Sequence, residues 1–186
     1  LVFDEIHPLP TAYLQPAIRA VGYVTKHLDS KAIFLSATMP DFDSLFRLYI
    51  PDNHVTNLIK DSTDYSAFKN ASIRYIGICT SEALAIKAGD HESVLFVTGR
   101  KKSARTLYKL LDGNNRKKFH LSTYMTPFHR SKVINQIKAS LKSGEKVAVV
   151  STSLIEAGVD LDFEAVYREL AGLDNILQAA GRCNRE

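Results

Sequence analysis

Two adjacent carboxylates follow a short apolar run at the start of the sequence. Asp4 and Glu5 come directly after residues 1–3, which have the pattern of a buried strand, and His7 completes the tetrapeptide Asp-Glu-Ile-His. Charges resist burial unless a counter-ion satisfies them, so a cation is the expected partner of this pair. One carboxylate can hold Mg²⁺ while its neighbour orients or deprotonates an attacking water. We interpret Asp4 as the metal side and Glu5 as the base, although a solvated turn would use the same residues.

A small turn with two hydroxyl groups follows the second apolar run. Ser36-Ala37-Thr38 comes directly after residues 32–35, one strand–helix–strand step beyond Asp4. In a parallel sheet both strand ends point to the same edge, where ligands bind. We therefore expect Ser36 and Thr38 to lie near the carboxylate pair, although a turn of this kind is ordinary when it stands alone.

A third polar segment follows the buried-strand pattern of residues 147–150. It runs from Ser151 to Asp160 and contains Thr152 and Gly158. Hydroxyls and backbone amides at a strand end, or at the start of the next helix, can hold a phosphate. Gly158 allows a close backbone approach or a positive φ. A plain strand–turn–helix with a capping hydroxyl gives the same pattern, so both interpretations stay open.

Two arginines lie three residues apart near the end of the sequence. Arg182 and Arg185 belong to the octapeptide that starts at Gln178, and they would share one face if the segment is helical. Guanidinium groups beside a phosphoryl group stabilise the charge that develops during its transfer. A solvated pair of arginines on the surface is the alternative.

The hydrophobic pattern predicts the scaffold that positions these residues. Short apolar runs alternate with amphipathic stretches, which is typical of an α/β fold with parallel sheets and flanking helices. Strands are predicted at residues 1–3, 32–35, 73–79, 94–97, 119–121, 146–150 and 165–167. Helices are predicted at residues 11–28, 82–88, 101–111, 127–141 and 173–180. A further short helix, capped by Asp41 or Asp43, is predicted to carry Leu45, Phe46 and Leu48.

A polar stretch divides the sequence into two units. Residues 51–71 begin with Pro51 and show weak periodicity, as expected of a linker. Residues 1–50 hold only two predicted strands, so we expect them to be the C-terminal part of a first domain. Residues 72–186 are expected to form a second, nearly complete domain.

Composition and charge narrow the class of protein. A hydrophobic content of 45% excludes disorder of the whole chain, and no apolar run approaches the roughly 18 residues of a membrane-spanning helix. The two cysteines form no disulfide framework or zinc motif, which fits a reducing cytoplasm. The net charge is +4, and basic residues cluster between Arg100 and Lys118. Such a segment can follow nucleic acid, and a solvated helix face with a basic loop is the other interpretation.

Four segments, taken in order, resemble motifs two, three, five and six of the superfamily-two helicases: residues 4–7, 36–38, 151–160 and 178–185. Finer details, in residues 153–163, 167–170, 173–174 and 178–185, are similar to the helicase of type I CRISPR systems, a helicase–nuclease recruited to unwind and degrade invading DNA. The resemblance implies two RecA-like domains of the P-loop NTPase helicase fold, with ATP in the cleft and nucleic acid crossing both. The first domain would be truncated in this chain.

The same resemblance implies roles for individual residues. Asp4 would bind Mg²⁺ and Glu5 would activate water, while Arg182 and Arg185 would face the γ-phosphate of ATP, with Arg185 as the arginine finger. The other implied roles are nucleotide binding (Gly158, Asp160, Gln178), coupling between domains or between hydrolysis and strand movement (His7, Ser36, Thr38), and contact with the nucleic acid (Thr98, Arg100, Lys101, Thr152).

Two parts of the family pattern have no match in the sequence. These are the glycine-rich phosphate loop with its Lys-Ser/Thr pair and the histidine–aspartate cluster of the nuclease. We therefore expect a fragment, inactive by itself, of an ATP-dependent 3′-to-5′ DNA helicase from a prokaryotic cytoplasm. The implied partners are single-stranded DNA and a CRISPR surveillance complex of the Cascade type, without a membrane. Two alternatives stay open: another DExH motor acting on RNA or in restriction, and a binding module for nucleic acid that does not hydrolyse ATP.

Overall fold

The computed structural model describes residues 1–4, 9–35, 42–50, 55–58, 72–111, 115–152 and 161–183. The chain forms two compact units, Leu1–Phe68 and Lys69–Glu186, and each has its own parallel sheet. Within the described residues, no helix combines the length and the apolar character that crossing a membrane requires.

The first unit pairs two short parallel strands. β1 (Val2–Asp4) lies beside β2 (Ile33–Leu35), and α1 (Thr11–His27) connects them. A parallel pair needs such a crossover because the chain must return to the starting edge before the second strand begins. α2 (Asp43–Tyr49) follows, and the core of this unit forms around Ile18 of α1 and Phe42.

Close packing of α1 against α2 depends on Gly22. A Cβ atom at this position would lie 2.6 Å from the carbonyl oxygen of Tyr49. That separation is far shorter than the roughly 3.5 Å of a favourable van der Waals contact. The two helices can therefore approach this closely only because residue 22 has no side chain.

In the described residues of the second unit, four parallel strands form a sheet in the order β4–β5–β3–β6. Its strands are β3 (Ser93–Val97), β4 (Lys117–Leu121), β5 (Val147–Ser151) and β6 (Ala165–Arg168). Its helices are α3 (Ser81–Lys87), α4 (Lys101–Leu110), α5 (Pro127–Lys142) and α6 (Leu173–Ala180), and a 3₁₀ turn, Ala88–Asp90, follows α3. The prediction of an α/β fold with parallel sheets is confirmed.

Side chains from both faces of this sheet are buried. On one face Phe96 belongs to a cluster that includes Leu107 of α4. On the other face Leu95 packs in a cluster with Ile137 of α5 and with Phe163. Strands covered on both faces carry continuous apolar runs, which is why β3 and β5 were recognisable in the sequence.

Threonine side chains cap the N-termini of two helices. Thr80 accepts a hydrogen bond of 3.2 Å from the backbone N–H of Ala83 at the start of α3. Thr126 accepts one of 3.3 Å from the N–H of His129 at the start of α5, where Pro127 occupies the first turn. Both caps satisfy donors that lack a partner within the helix, so these starts lie close to the predicted ones.

The prediction of a strand at residues 73–79 is wrong. Residues 72–80 lie in neither a helix nor a strand, and Tyr75 is 79% and Ile78 100% exposed. Gly77 adopts a φ of 77°, a left-handed conformation that interrupts an extended backbone. The apolar alternation here has no neighbouring strand among the described residues to complete a ladder.

Candidate functional site

The carboxyl ends of the four strands in the second sheet lie at one edge because the strands are parallel. Thr98 follows β3, Ser122 follows β4, Thr152 follows β5 and Glu169 follows β6. We call this row of strand ends the carboxyl edge, and the opposite row the amino edge. Thr98 and Thr152, both expected to contact nucleic acid, are therefore brought to neighbouring strands.

Thr98 and Thr152 are linked through the end of β5. The N–H of Thr98 donates to the carbonyl oxygen of Ser151 at 2.9 Å, and the two threonines are only 8% and 6% exposed. The Thr98 hydroxyl donates to the carbonyl oxygen of Arg100 at 3.1 Å, which holds the loop after β3. The buried Thr152 hydroxyl has no hydrogen-bond partner in the described part of the chain. Among the described residues, Thr152 thus has a hydroxyl at this edge whose hydrogen-bonding capacity is unused.

Glu169 fixes the loop after β3 from the neighbouring strand. Its carboxylate accepts a hydrogen bond of 2.6 Å from the N–H of Gly99, and its own N–H donates to the carbonyl oxygen of Val97 at 2.9 Å. A Cβ at Gly99 would lie 3.4 Å from the same carboxylate oxygen, at van der Waals distance. Glu169 had no predicted role. A carboxylate two residues after the predicted strand 165–167 was the available signal.

Basic residues begin α4 at the same edge. Arg100 is the N-cap residue of α4, and Lys101 lies in a first turn that contains no acidic side chain. A helix N-terminus carries partial positive charge and favours anions, so cations placed here are repelled unless an anion binds. The α5 N-terminus, which follows β4 at this edge, also has no acidic residue in its first turn.

An aromatic residue missed by the sequence analysis completes the carboxyl edge. Tyr124 lies in the loop between β4 and α5 and is 82% exposed. The Lys101 ammonium lies 3.4 Å from the centroid of its ring, within the range of a cation–π interaction. An aromatic side chain in the turn before Thr126-Pro127, a recognisable helix start, was the signal that could have found it.

The fold divides the predicted basic segment between the two edges. Arg100 and Lys101 lie at the carboxyl edge, but α4 runs back, so β4 begins at the amino edge with Lys117. There Lys117 pairs with Glu145 at 2.7 Å, and Arg116 donates to the carbonyl oxygen of His91 at 3.1 Å. The segment therefore does not form one continuous surface for a polyanion.

A hydrogen-bonded cluster at the amino edge joins the start of β6 to the start of β3. The Glu164 carboxylate accepts from the N–H of Glu92 at 2.7 Å, which lowers the pKa of Glu164, and it faces the His91 ring at 3.3 Å. The other ring nitrogen of His91 lies 3.0 Å from the Tyr167 hydroxyl, and burial raises the pKa of Tyr167. These contacts hold strands together at the end of the sheet away from the carboxyl edge.

Arg182 lies at the amino end of β6, apart from Thr98 and Thr152. It follows α6, is 9% exposed, and its carbonyl oxygen accepts a hydrogen bond of 3.0 Å from the N–H of Phe163. The next residue, Cys183, forms a parallel bridge with Phe163, just before β6 begins. Gln178 is half-buried on α6. Arg182, which the resemblance implies to face ATP, thus lies near the C-terminal end of α6.

In the first unit, Asp4 is the described member of the carboxylate pair. It is the last residue of β1, is exposed, and lies beside Leu35, the last residue of β2. An exposed carboxylate at a strand end has the chemistry of a Mg²⁺ ligand. No group of three or more possible metal ligands occurs within the described residues.

Seven predicted site residues lie outside the described residues, so their placement is not tested: Glu5, His7, Ser36, Thr38, Gly158, Asp160 and Arg185.

Comparison with known proteins places this arrangement in a family. A family model described as CRISPR-associated nuclease/helicase Cas3, C-terminal, matches residues 90–186. A CRISPR-associated nuclease/helicase Cas3 of Haloferax volcanii is 47% identical over 66 residues, which are 35% of this chain and 7% of that protein. The matched segment therefore covers less than a tenth of this curated relative.

Solved structures support the fold. A crystal structure of T. fusca Cas3 matches 100% of this chain and 26% of its own chain, with 18% identity and a TM-score of 0.71. The form with AMPPNP gives a TM-score of 0.70 at 19% identity, covering 100% of this chain and 27% of that one. A chain of a CRISPR RNA-guided surveillance complex, pre-nicking, has a TM-score of 0.65 and 20% identity, covering 100% of this chain and 28% of that chain.

These likenesses confirm the predicted RecA-like fold, and the family match confirms the resemblance read from the motifs. Because that match extends over residues 90–186, more than half of the sequence, the chain belongs to the family of the C-terminal region of the CRISPR-associated nuclease/helicase Cas3.

Proposed function

We propose that this chain is part of an ATP-dependent 3′-to-5′ DNA helicase of CRISPR interference. In this proposal the second unit guides single-stranded DNA along its carboxyl edge while the longer protein hydrolyses ATP. The family match supports the helicase role, and the geometry of the carboxyl edge supports the DNA contact.

One observation carries the proposal. Thr98 and Thr152, far apart in the sequence, meet on neighbouring strands beside Arg100 and Lys101 at the start of α4. A phosphate placed there would accept from the Thr152 hydroxyl and from basic side chains, and it would neutralise the positive end of the helix. Backbone contacts of this kind position a strand without reading its sequence.

For ATP and Mg²⁺ the proposed residues divide between the two units. Asp4 would bind the metal and Glu5 would activate water, whereas Gln178, Arg182 and Arg185 would contact the nucleotide. Asp4 has the exposed carboxylate that a Mg²⁺ ligand needs, and the T. fusca Cas3 solved with AMPPNP supports nucleotide binding. Gly158 and Asp160 would lie beside the nucleotide, and His7, Ser36 and Thr38 would couple hydrolysis to movement of the strand.

The isolated chain should be inactive because the phosphate-binding loop has no match in its sequence. We expect negligible ATP hydrolysis by the 186-residue chain, with or without single-stranded DNA. Hydrolysis that DNA stimulates and that Glu5→Gln abolishes would contradict this expectation.

Salt-dependent binding tests the DNA contact. Each lost phosphate contact should lower the slope of log affinity against log salt by about 0.7 for single strands, so Arg100→Ala should weaken binding and flatten the slope. Lys117→Ala is the matched control because it removes the same charge at the amino edge, where Lys117 pairs with Glu145. Equal losses in both variants would show that the protein attracts DNA only by its overall charge.

The partner in CRISPR interference is a further part of the proposal. The surveillance complex matched in fold supports recruitment of the longer protein by a complex of that kind. A prokaryotic cytoplasm is the compartment that goes with this proposal. Stimulation of ATP hydrolysis by single-stranded DNA and by RNA, measured side by side in the longer protein, tests the polymer. We expect DNA to be the stronger activator, and a preference for RNA would favour an RNA helicase instead.

A further inference from the structure

We propose that Tyr124, backed by Lys101, is a stacking platform for one unpaired base of the bound strand. The inference rests on the proposed function, since it assumes that a single strand follows the carboxyl edge. It adds a base contact to a site for which only contacts with the backbone were predicted.

Tyr124 is exposed but firmly held. Its N–H donates to the Ser122 hydroxyl at 3.3 Å, and the N–H of Met125 donates to the carbonyl oxygen of Ser122 at 3.0 Å. The Met125 side chain packs against the core cluster on the α5 face of the sheet, and Thr126 then caps α5. A ring held by a short anchored turn loses little conformational entropy when a ligand stacks on it.

Lys101 approaches the ring closely and leaves most of it open. The ammonium lies 3.4 Å from the ring centroid, while Tyr124 remains 82% exposed. A base can therefore stack on the accessible part of the ring. The lysine meanwhile places a positive charge close to the phosphate that such a base would carry with it.

Lys101 and Tyr124 lie on either side of the proposed path of the DNA backbone. Lys101 follows β3 and Tyr124 follows β4, and β5, which ends just before Thr152, lies between these two strands. A strand whose phosphate meets Thr152 would therefore have an adjacent base within the span of this pair. Bases of a duplex are stacked inside the helix, so the platform would select unpaired strands without selecting a sequence.

A second lysine–tyrosine pair in the same unit shows what a purely structural pair looks like. Lys118 lies 4.5 Å from the ring centroid of Tyr108, but Tyr108 is half-buried and packs against the core cluster on the α4 face. Lys118 is the second residue of β4 and therefore lies near the amino edge. That ring has no comparable open face, so exposure distinguishes Tyr124 as a binding residue.

Binding of two oligonucleotides to the full chain tests the proposal. One is fluorescein-labelled oligo-dT and the other is an abasic strand of the same length and charge, both measured by fluorescence anisotropy. Base–aromatic stacking predicts that Tyr124→Ala weakens oligo-dT binding by about tenfold and leaves the abasic strand nearly unaffected. Tyr124→Phe, which keeps the ring, should bind oligo-dT like the unchanged protein.

Tyr75→Ala is the matched control because Tyr75 is 79% exposed in the same unit but lies outside the carboxyl edge residues described above. It should leave both affinities unchanged, and thermal melts should show that both alanine variants fold. Equal weakening of the two oligonucleotides by Tyr124→Ala, or no weakening, would overturn the platform. If Arg100→Ala also had no effect on either strand, the proposed function itself would fail, so the two failures are distinguishable.

Discussion

Removing the Glu169 carboxylate should loosen the loop that precedes α4 and weaken DNA binding. The carboxylate accepts from the N–H of Gly99 at 2.6 Å, so it connects the end of β6 to the loop after β3. Glu169→Ala frees that N–H without touching any proposed DNA contact. The loop leads into Arg100, whose carbonyl oxygen keeps its hydrogen bonds from the Thr98 hydroxyl at 3.1 Å and from the N–H of Ala104 at 3.1 Å.

The expected size follows from the exposure of Glu169. A hydrogen bond to a charged group contributes about 1.5–3 kcal/mol, and solvent screening of an exposed carboxylate reduces this to about 1 kcal/mol. If binding must supply that free energy to order the loop again, affinity falls by about fivefold. Loss of a negative charge near the DNA acts in the opposite direction and has to be measured separately.

Glu169→Gln separates the two effects because it removes the charge and keeps an oxygen acceptor. Anisotropy titrations with single-stranded DNA should show that the glutamine variant binds at least as tightly as the unchanged chain. The alanine variant should bind about fivefold more weakly than the glutamine variant, with the same salt dependence, since neither loses a phosphate contact. Equal affinities for the two variants would refute the argument and leave Glu169 with an effect of charge alone.

Two further predictions concern stability. Gly22→Ala should destabilise the first unit by about 1–3 kcal/mol in urea unfolding because the new Cβ meets the Tyr49 carbonyl oxygen. Gly89→Ala is the control and should not destabilise the protein, since the space around Gly89 is open. Equal effects of the two substitutions would mean that helix propensity dominates. Burial lowers the pKa of His120 from its ordinary 6.5. As the pH drops, the unfolded chain therefore binds a proton at His120 before the folded chain does, and the stability should fall as the pH decreases below about 6.5. His120→Gln should reduce that dependence, and an unchanged pH profile would count against it.

The elements of the second unit were largely predictable because its helices and strands carry strong local patterns. Continuous apolar runs identified β3 and β5, and a threonine followed by proline marked the start of α5. The segment 73–79 has the same apolar character and is not a strand, because strand formation depends on a partner that the local sequence does not encode.

For this protein the amino-acid sequence alone determined the family and the parallel α/β fold. The order of the motifs and the lengths of the apolar runs can be read from the sequence without knowledge of the tertiary structure. Only the tertiary structure decided which charges act together. In the folded chain Thr98 lies beside the end of β5, and Lys101 contacts Tyr124. Lys117, which belongs to the same basic segment as Lys101, lies at the opposite edge of the sheet. The physical reason is that α4 reverses the chain over about 15 Å, so neighbours in sequence become opposite ends of a sheet while distant residues meet across parallel strands.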